Sequence, residues 1–335
     1  MTERNEALRP ESLADFTGQS DVVRHLGIVL KAAAQRNELP DHMLFSGPPG
    51  LGKTTLAGIV SAECGANFIV TSGPAIERPG DLAALLSGIT VPSVVFIDEI
   101  HRMPRQVEEV LYPAMEDGVL DFVVGEGQKA RTVRLPLAPL CVIGATTQSG
   151  MLSAPLRDRF GFQARLRLYD EQDLAKIVQR SANLLGCHIT PDAAVTVALR
   201  SRGTPRIANT LLRRVRDFAQ LQDTDINVDI ANDALKAFGI DDAGLDRLGL
   251  DILRALCETF RGGPAGLTAI AAAVGEAPTT VSEVYEPYLM NQGFLQRTPR
   301  GRVATVDAYE HLGLPVPGHL LGIEQSEEDS PPLPY

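Results

Sequence analysis

The sequence predicts an α/β domain built on a parallel sheet, followed by a small helical domain and a C-terminal winged-helix domain. Short apolar runs alternate with helical patterns as far as residue 168, which is typical of a parallel sheet covered by helices. From Tyr169 to about Gly239 the pattern is helical only, and after Leu245 a helix–turn–helix precedes a β-ribbon. The expected boundaries are 1–169, 170–241 and 242–318, with an acidic tail that has no fold at 319–335.

The elements of the first domain follow from their local pattern. Ser20 or Asp21 is the expected cap of a first helix, whose apolar positions run from Val22 to Ala33. The apolar runs that follow have the length and bounding residues of buried strands. The predicted strands are Met43 to Ser46, Asn67 to Thr71, Val94 to Ile97, Leu140 to Ala145 and, more weakly, Ala164 to Leu168.

Composition limits the classes of function. The net charge of −11 argues against a chain that coats DNA through bulk electrostatics, so any DNA contact has to come from a local basic patch. No stretch approaches 18 consecutive apolar residues and the N-terminus lacks a secretion signal, which favours a soluble, cytoplasmic protein without membrane contact. Cys64, Cys141, Cys187 and Cys257 form no C-x-x-C pair, so we expect them to be reduced core residues.

A phosphate-binding motif stands between the first strand and a helical pattern. Gly47 to Thr55 reads GPPGLGKTT and fits G-x-x-x-x-G-K-[ST], in which backbone amides surround the phosphates of a nucleotide. Lys53 is expected to reach the β- and γ-phosphates, and the Thr54 hydroxyl is expected to ligate Mg²⁺. The alternative is a chance glycine-rich turn before a helix. The predicted phosphate-binding residues are Gly50, Gly52, Lys53, Thr54 and Thr55.

Two carboxylates follow the third strand, in the sequence VVFIDE that ends at Glu99. The carboxyl edge of a parallel sheet is where ligands bind in open α/β folds. There Asp98 is suited to hold Mg²⁺ and Glu99 to activate a water molecule. Both residues are also good helix caps, which is the structural alternative. Because the pair follows a phosphate loop, the sequence predicts ATP hydrolysis, with His101 in a structural role.

Three further stretches are candidates. The range 120–135 predicts a hairpin, which has the alternative of an ordinary edge hairpin. Thr146 and Thr147 follow the fourth predicted strand, where a hydroxyl is placed to sense a γ-phosphate. Arg157 and Arg159 lie on either side of an aspartate and offer a guanidinium that completes a neighbouring subunit's site. A surface ion-pair cluster explains the same two arginines equally well.

The helical domain contains a second basic candidate. In Gly203-Thr204-Pro205-Arg206, Thr204 is a plausible N-cap and Pro205 occupies the first helical position. A cation is disfavoured at a helix N-terminus, so Arg206 indicates an anionic partner such as a phosphate. A solvated residue at the start of the helix is the alternative.

The last domain supplies the local basic patch. Three arginines, Arg297, Arg300 and Arg302, lie around the turn of the predicted β-ribbon. In a winged helix this ribbon is suited to contact DNA phosphates. Winged helices also serve as protein-docking modules, and that alternative stays open.

Taken together, these blocks resemble one family, the RuvB family of AAA+ ATPases, over residues 4–318. The phosphate loop and the motif that contains Asp98 and Glu99 are common to all AAA+ proteins. The hairpin and the blocks PLRDRFG, GTPRIAN and GFLQRTPRGR are specific to this family. The resemblance is carried by LRP from Leu8, GPPGLGKTTLA from Gly47, ERPGDLAALL from Glu77, FIDEIHR from Phe96, EEVLYPAMED from Glu108, GATT from Gly144, PLRDRFG from Pro155, GTPRIAN from Gly203 and GFLQRTPRGR from Gly293.

The resemblance implies an activity and partners. Members are ATP-driven motors that form a homohexamer around duplex DNA and drive branch migration of Holliday junctions in recombination and repair. It further implies ATP and Mg²⁺ as cofactors, docking of the junction-binding protein RuvA on the hairpin 120–135, and a RuvC-type nuclease in a larger complex. Two rivals remain: a clamp-loader-like AAA+ remodeller, and an ATP-switched regulator that binds DNA.

The resemblance also assigns residues that spacing alone does not. It places Leu8, Arg9 and Tyr169 at the nucleotide base, and it makes Arg159 the arginine finger acting on a neighbouring subunit and Arg206 the sensor of the lid domain. Glu116, Asp117 and Gly118 are expected near the nucleotide. Either Thr146 or Thr147 is the sensor of the fourth strand. One departure is Gln148, where the family usually has arginine, which removes a positive charge beside that strand.

Overall fold

The computed structural model describes residues 7–124 and 131–320. The chain divides after Asn232 into two compact units, and each is described by itself below. Within the described ranges, no helix is both long enough and apolar enough to cross a membrane.

The first unit is built on a five-stranded sheet in which every pairing is parallel, in the order Asn67–Ser72, Ser93–Asp98, Leu140–Thr146, Met43–Ser46 and Phe162–Arg165. Its central strand pairs put Ser46 beside Thr146, and Ile97 beside Gly144. The carboxyl ends of the neighbouring strands therefore meet at one edge, where the predicted site residues follow. The strands of this unit are β1 (Met43–Ser46), β2 (Asn67–Ser72), β3 (Ser93–Asp98), β4 (Val119–Val124), β5 (Arg131–Pro136), β6 (Leu140–Thr146) and β7 (Phe162–Arg165).

Helices cover this sheet, as the alternating pattern predicted. The inner strand β3 is buried along its length except at Asp98, because both of its faces are packed. Val95, Ile97 and Leu111 belong to one core cluster with Phe160. The helices are α1 (Ser20–Arg36), α2 (Lys53–Glu63), α3 (Pro79–Ser87), α4 (Arg105–Glu116), α5 (Ala154–Asp158), α6 (Glu171–Leu184), α7 (Pro191–Leu199), α8 (Pro205–Leu221) and α9 (Val228–Ala237), the last of which runs across the division at Asn232.

Two boundaries predicted from the sequence are wrong, those at the start of α1 and at the end of β7. The predicted cap at Ser20 or Asp21 is wrong, because α1 begins at Ser20 after Gln19, whose backbone is left-handed with φ 52°. The side chain of Gln19 donates to the carbonyl of Arg167 and accepts from its amide, at 2.6 and 3.1 Å. These contacts hold the chain just after β7, which ends at Arg165 and not at Leu168 because its partner β1 ends at Ser46, opposite Arg165.

The hairpin predicted at 120–135 is confirmed in its strands. β4 and β5 pair antiparallel, with Leu120 opposite Leu135. The turn residues 125–130 lie outside the described residues. Asp121 and Arg134 face each other across the pair, and the guanidinium makes two hydrogen bonds of 2.9 and 3.1 Å to the carboxylate.

The second unit is the predicted winged helix. The ribbon strands β8 and β9 pair antiparallel, with Arg297 opposite Arg302. One core cluster holds the unit together and includes Leu253, Leu289 and Tyr309. Its elements are α10 (Arg247–Arg254), a π-helical turn (Ala255–Thr259), α11 (Leu267–Val274), α12 (Pro278–Thr280), a second π-helical turn (Val281–Tyr285), α13 (Glu286–Asn291), β8 (Leu295–Thr298), β9 (Gly301–Ala304) and α14 (Val306–Leu312).

Two smaller expectations have mixed outcomes. All four cysteines are free thiols, but only Cys141 and Cys257 are buried, whereas Cys64 and Cys187 are partly exposed. Burial raises the pKa of the Cys257 thiol to about 11. The acidic tail was expected from residue 319, yet Leu320 still packs against the core of the second unit. Residues 321–335 of that predicted tail lie outside the described residues.

Candidate nucleotide-binding site

The loop between β1 and α2 has the backbone that a phosphate-binding loop needs. Gly47, Gly50 and Gly52 have φ of 138°, 81° and 101°, a region that L side chains rarely adopt. A Cβ at Gly50 would lie 2.7 Å from Cγ2 of Thr204, so no side chain fits there. Because Gly52 is the N-cap of α2, the first amides of that helix lack helical acceptors and are suited to bind an anion.

Lys53 is held inside this loop. Its side chain is largely buried, with 8% of the residue exposed. The ammonium donates to the carbonyl oxygens of Gly47 and Pro48 at 2.7 and 2.8 Å. A buried ammonium is costly unless it is paired, and these carbonyl contacts hold the Lys53 ammonium at the loop where a phosphate would bind.

Most of the predicted nucleotide-binding residues line one cavity of about 540 Å³ within the first unit. That volume is in the range of sites for cofactor-sized ligands. The predicted residues found in its wall are Leu8, Arg9, Gly50, Gly52, Lys53, Thr54, Thr55, Asp98, Glu99, Thr147, Tyr169 and Arg206.

The acidic pair is presented to this cavity by the end of β3. Asp98 is the last residue of the strand, and its carboxylate accepts from the amide of Glu99 at 3.0 Å. Glu99 has a left-handed backbone with φ 48°, a conformation that costs about 1–3 kcal/mol in a non-glycine residue and often marks functional sites. Its carboxylate pairs with Arg102 at 2.8 Å. Both acids are therefore oriented by local contacts.

The residues present fit a magnesium ion. Thr54 and Asp98 line the same cavity as Lys53 and the glycines of the loop. Mg²⁺ in nucleotide sites is held by one or two protein oxygens together with phosphates and water. A hydroxyl and a carboxylate beside a phosphate loop are a donor set of that kind.

The structure distinguishes the two threonines at the end of β6. Thr146 is buried with 1% exposed, and its hydroxyl lies 3.0 Å from Nδ1 of His101 and accepts from the amide of Gln148 at 2.9 Å. Thr147 lines the cavity. Thr147, the first residue after β6, thus lines the cavity, while Thr146 bonds to His101.

The helical segment that follows the sheet contributes the opposite wall. The Tyr169 hydroxyl donates to the carbonyl of Leu51 at 3.1 Å, and burial raises the pKa of this phenol. Arg206, in the first turn of α8, donates its amide to the carbonyl of Gly50 at 3.4 Å. Thr204 is the N-cap residue as expected, but its hydroxyl donates to the Arg202 carbonyl at 3.0 Å and makes no cap hydrogen bond.

Sequence reasoning missed Arg180, which also lines the cavity. From α6 its guanidinium donates to the carbonyls of Leu8 and Arg9 at 2.9 and 3.4 Å. It therefore fixes the N-terminal segment against the helical part of this unit. The only signal in the sequence was a cation on a helix, which does not reveal a contact with residues so far away in the chain.

Arg159 and the range Glu116 to Gly118 do not line the cavity of their own chain. They lie together, since the Arg159 guanidinium pairs with Glu116 at 2.9 Å. The placement of Arg159 away from its own cavity is the one that action on a neighbouring subunit requires. If Glu116, Asp117 and Gly118 contact a nucleotide, it has to be that of a neighbour.

The ribbon of β8 and β9 is the wing of the winged helix, and its three arginines have different surroundings. Arg300 lies exposed between the strands of the ribbon. Arg297 and Arg302 both bond to Glu286, whose side chain is 2% exposed, at 2.8 and 3.1 Å. The Arg302 side chain is only 17% exposed against 54% for Arg297. The Arg302 guanidinium is therefore directed to a buried carboxylate, whereas Arg300 and about half of the Arg297 side chain are exposed.

Comparison with known proteins agrees with this architecture. Three family models match in succession: "Holliday junction DNA helicase RuvB P-loop domain" at residues 8–166, "RuvB AAA lid domain" at 169–241 and "RuvB C-terminal winged helix domain" at 242–313.

Curated relatives and solved structures are similar over nearly the whole chain. The Holliday junction branch migration complex subunit RuvB of Saccharopolyspora erythraea is 56% identical over 94% of this chain and 90% of its own. That of Nocardioides sp. is 54% identical over 98% of this chain and 90% of its own. The structure of the Thermotoga maritima RuvB Holliday junction branch migration motor has a TM-score of 0.86 at 47% identity, covering 93% of this chain and all of the other. The chain belongs to the RuvB family of AAA+ P-loop ATPases.

Proposed function

We propose that this protein is an ATP-hydrolysing DNA motor that drives branch migration of Holliday junctions. The observation that carries the proposal is the convergence of the phosphate loop, Asp98, Glu99 and Arg206 on one cavity, in a chain that also ends in a winged helix. Family membership supplies the junction substrate, since the relatives are named as branch migration proteins.

In this mechanism the loop amides and Lys53 bind the phosphates of ATP, and Lys53 exchanges its contacts with the Gly47 and Pro48 carbonyls for phosphate oxygens. Thr54 and Asp98 would hold the metal. Mg²⁺, when bound, neutralises charge on the β- and γ-phosphates. Glu99 orients the attacking water and accepts its proton, and Thr147, in the cavity wall, is the proposed sensor of the γ-phosphate.

The proposed enzyme is a homohexamer in which Arg159 reaches the γ-phosphate bound by the adjacent subunit. An arginine finger of this kind contributes about 10³–10⁵ in rate. Arg206 links the nucleotide to the helical domain, so loss of the γ-phosphate would move that domain. We keep 1–169, 170–241 and 242–318 as the proposed limits of the ATPase, lid and winged-helix domains.

The proposed partners follow from the other surfaces. Arg297 and Arg300 are the exposed cations of the wing and would contact DNA phosphates, with little sequence preference and a strong dependence on salt. RuvA would dock on the hairpin of β4 and β5, and a RuvC-type nuclease would join the complex. The cytoplasm is the proposed location.

The first test is steady-state ATP hydrolysis with and without duplex or four-way junction DNA. We expect DNA to stimulate turnover, Arg159→Ala to lower turnover about 10³-fold or more to a measurable residual rate while ATP still binds, and Arg297→Ala with Arg300→Ala to remove only the stimulation. Arg36→Ala is a matched control, since Arg36 is an exposed arginine that does not line the cavity. If DNA has no effect and Arg159→Ala is silent, the motor proposal is refuted in favour of a switch that acts as single subunits.

A further inference from the structure

Three contacts within its own subunit hold the Arg159 side chain in place. Its guanidinium lies over the ring of Tyr112, with Cζ 4.1 Å from the ring centroid. The two terminal nitrogens bond to Glu116 at 2.9 Å and to the carbonyl oxygen of Pro155 at 2.6 Å. Only 21% of the side chain is exposed. An arginine free to sample solvent would not be ordered by three different contacts.

The Tyr112 side chain is itself held by a hydrogen bond of its hydroxyl. Its hydroxyl donates to Oε2 of Glu108 at 3.0 Å, and the Ser153 hydroxyl donates to the same oxygen at 2.5 Å. Ser153 is also the N-cap of α5, the short helix that Arg159 directly follows, and it accepts from the amide of Leu156 at 3.3 Å. One carboxylate oxygen therefore joins α4 to the helix that leads into Arg159.

The residues of α4 that contact Arg159 or orient Tyr112 are spaced so that they lie on the same side of the helix. Glu108, Tyr112 and Glu116 are successive i, i+4 positions and lie on one face of the helix. Glu108 is only 7% exposed, and a buried carboxylate is costly unless it is hydrogen-bonded. Its neighbour Glu109 points away and is exposed. An apolar residue at position 108 would pack without that cost, so the carboxylate has a use beyond filling the core.

We propose that Tyr112 is a positioning residue for Arg159, with Glu108 setting the orientation of the ring. The aromatic face attracts the guanidinium and supports it at the surface of the subunit, where it is available to the nucleotide of a neighbour. This inference rests on the proposed function, in which Arg159 acts on the adjacent subunit. It adds a role for two residues that do not touch the nucleotide cavity of their own chain.

The substitution Tyr112→Leu tests the role of the ring. Loss of the cation–π contact should lower kcat for ATP hydrolysis about 5- to 20-fold. The dissociation constant for ATP, measured with a fluorescent nucleotide, should stay within about twofold, because Tyr112 does not line the cavity. Tyr112→Phe keeps the ring and should lose less. Glu109→Gln, on the exposed face of the same helix, should match the parent.

A double-mutant cycle separates positioning from a general effect on the fold. If Tyr112 acts only through Arg159, adding Tyr112→Leu to Arg159→Ala changes kcat by less than about twofold. An equal loss in both backgrounds would mean that the ring supports the fold alone, and the inference would be overturned. It would also be overturned if Arg159→Ala lowers kcat while Tyr112→Leu in the parent does not. If Arg159→Ala itself leaves kcat unchanged, it is the proposed function that fails.

Discussion

Replacing the buried Glu286 by Gln should loosen the wing of the second unit. The carboxylate accepts two hydrogen bonds from Arg302, each of 3.1 Å, and one of 2.8 Å from Arg297. Burial alone would raise the Glu286 pKa, but the two arginines outweigh it and the pKa is lowered. The carboxylate is therefore ionised at neutral pH and takes part in charge-assisted bonds to both strands of the ribbon.

The magnitude follows from these contacts. Removing one partner of a fully buried ion pair costs about 3–5 kcal/mol. Glu286 is buried, but Arg297 is 54% exposed and its pairing is screened by solvent. Glutamine also keeps one oxygen as an acceptor. We therefore expect a loss of about 2–3 kcal/mol in the local stability of the wing, which is about 30- to 150-fold in an opening equilibrium.

Hydrogen exchange followed by mass spectrometry on the full chain reads this opening directly. Peptides covering β8 and β9 should exchange about 30-fold faster or more in Glu286→Gln. Peptides of the first unit should be unchanged. Glu310→Gln is the matched control, since Glu310 is exposed on α14. If both variants exchange alike, Glu286 does not hold the ribbon and the account of the wing is wrong.

The ion pairs of Glu286 also predict that the local stability of the wing depends on pH. Because the folded pKa of Glu286 lies below its usual value, its contribution is present above about pH 4.5. It is lost as the pH falls through the folded pKa. The wing peptides of the parent should therefore lose protection in acid more steeply than those of Glu286→Gln, once the intrinsic pH dependence of exchange is divided out.

Three further predictions concern the first unit. Gly50→Ala should weaken ATP binding at least tenfold in a fluorescence titration, because the added Cβ would lie 2.7 Å from Thr204 Cγ2. Gly65→Ala is the control, since Gly65 also has a positive φ but has open space around it, and it should leave ATP binding unchanged. Burial lowers the pKa of His42, so thermal stability should fall as the pH drops below about 6.5, and His42→Gln should flatten that dependence. Thr146→Val should lower the melting temperature by removing a buried hydrogen bond, whereas Thr147→Val should lower kcat, since Thr147 lines the cavity.

The sequence was sufficient where local rules determine position. A parallel strand delivers the residues that follow it to the carboxyl edge of the sheet, so Asp98 and Glu99 were correctly expected beside the phosphate loop. Turn and helix chemistry placed Pro205 at the start of α8 in the same way.

The sequence was insufficient where the position of a side chain depends on which of two adjacent residues faces the cavity, or on a contact between distant parts of the chain. Successive strand residues face opposite sides, and the apolar pattern stops at Ala145, so it did not say whether Thr146 or Thr147 reaches the cavity. The contacts of Arg180 with the N-terminal segment and of Arg302 with Glu286 join separate elements. Only the packing of those elements brings the partners together.

The central claim is that ATP turnover in this cavity moves a DNA junction. Its most direct test is branch migration of a labelled synthetic four-way junction by the full chain with RuvA, comparing the parent with Glu99→Gln. We predict that the parent converts the junction to duplex products only with ATP and Mg²⁺, and that Glu99→Gln binds ATP but yields no product. Product formation without ATP, equal activity of Glu99→Gln, or ATP hydrolysis by the parent with no movement of the junction would contradict the claim.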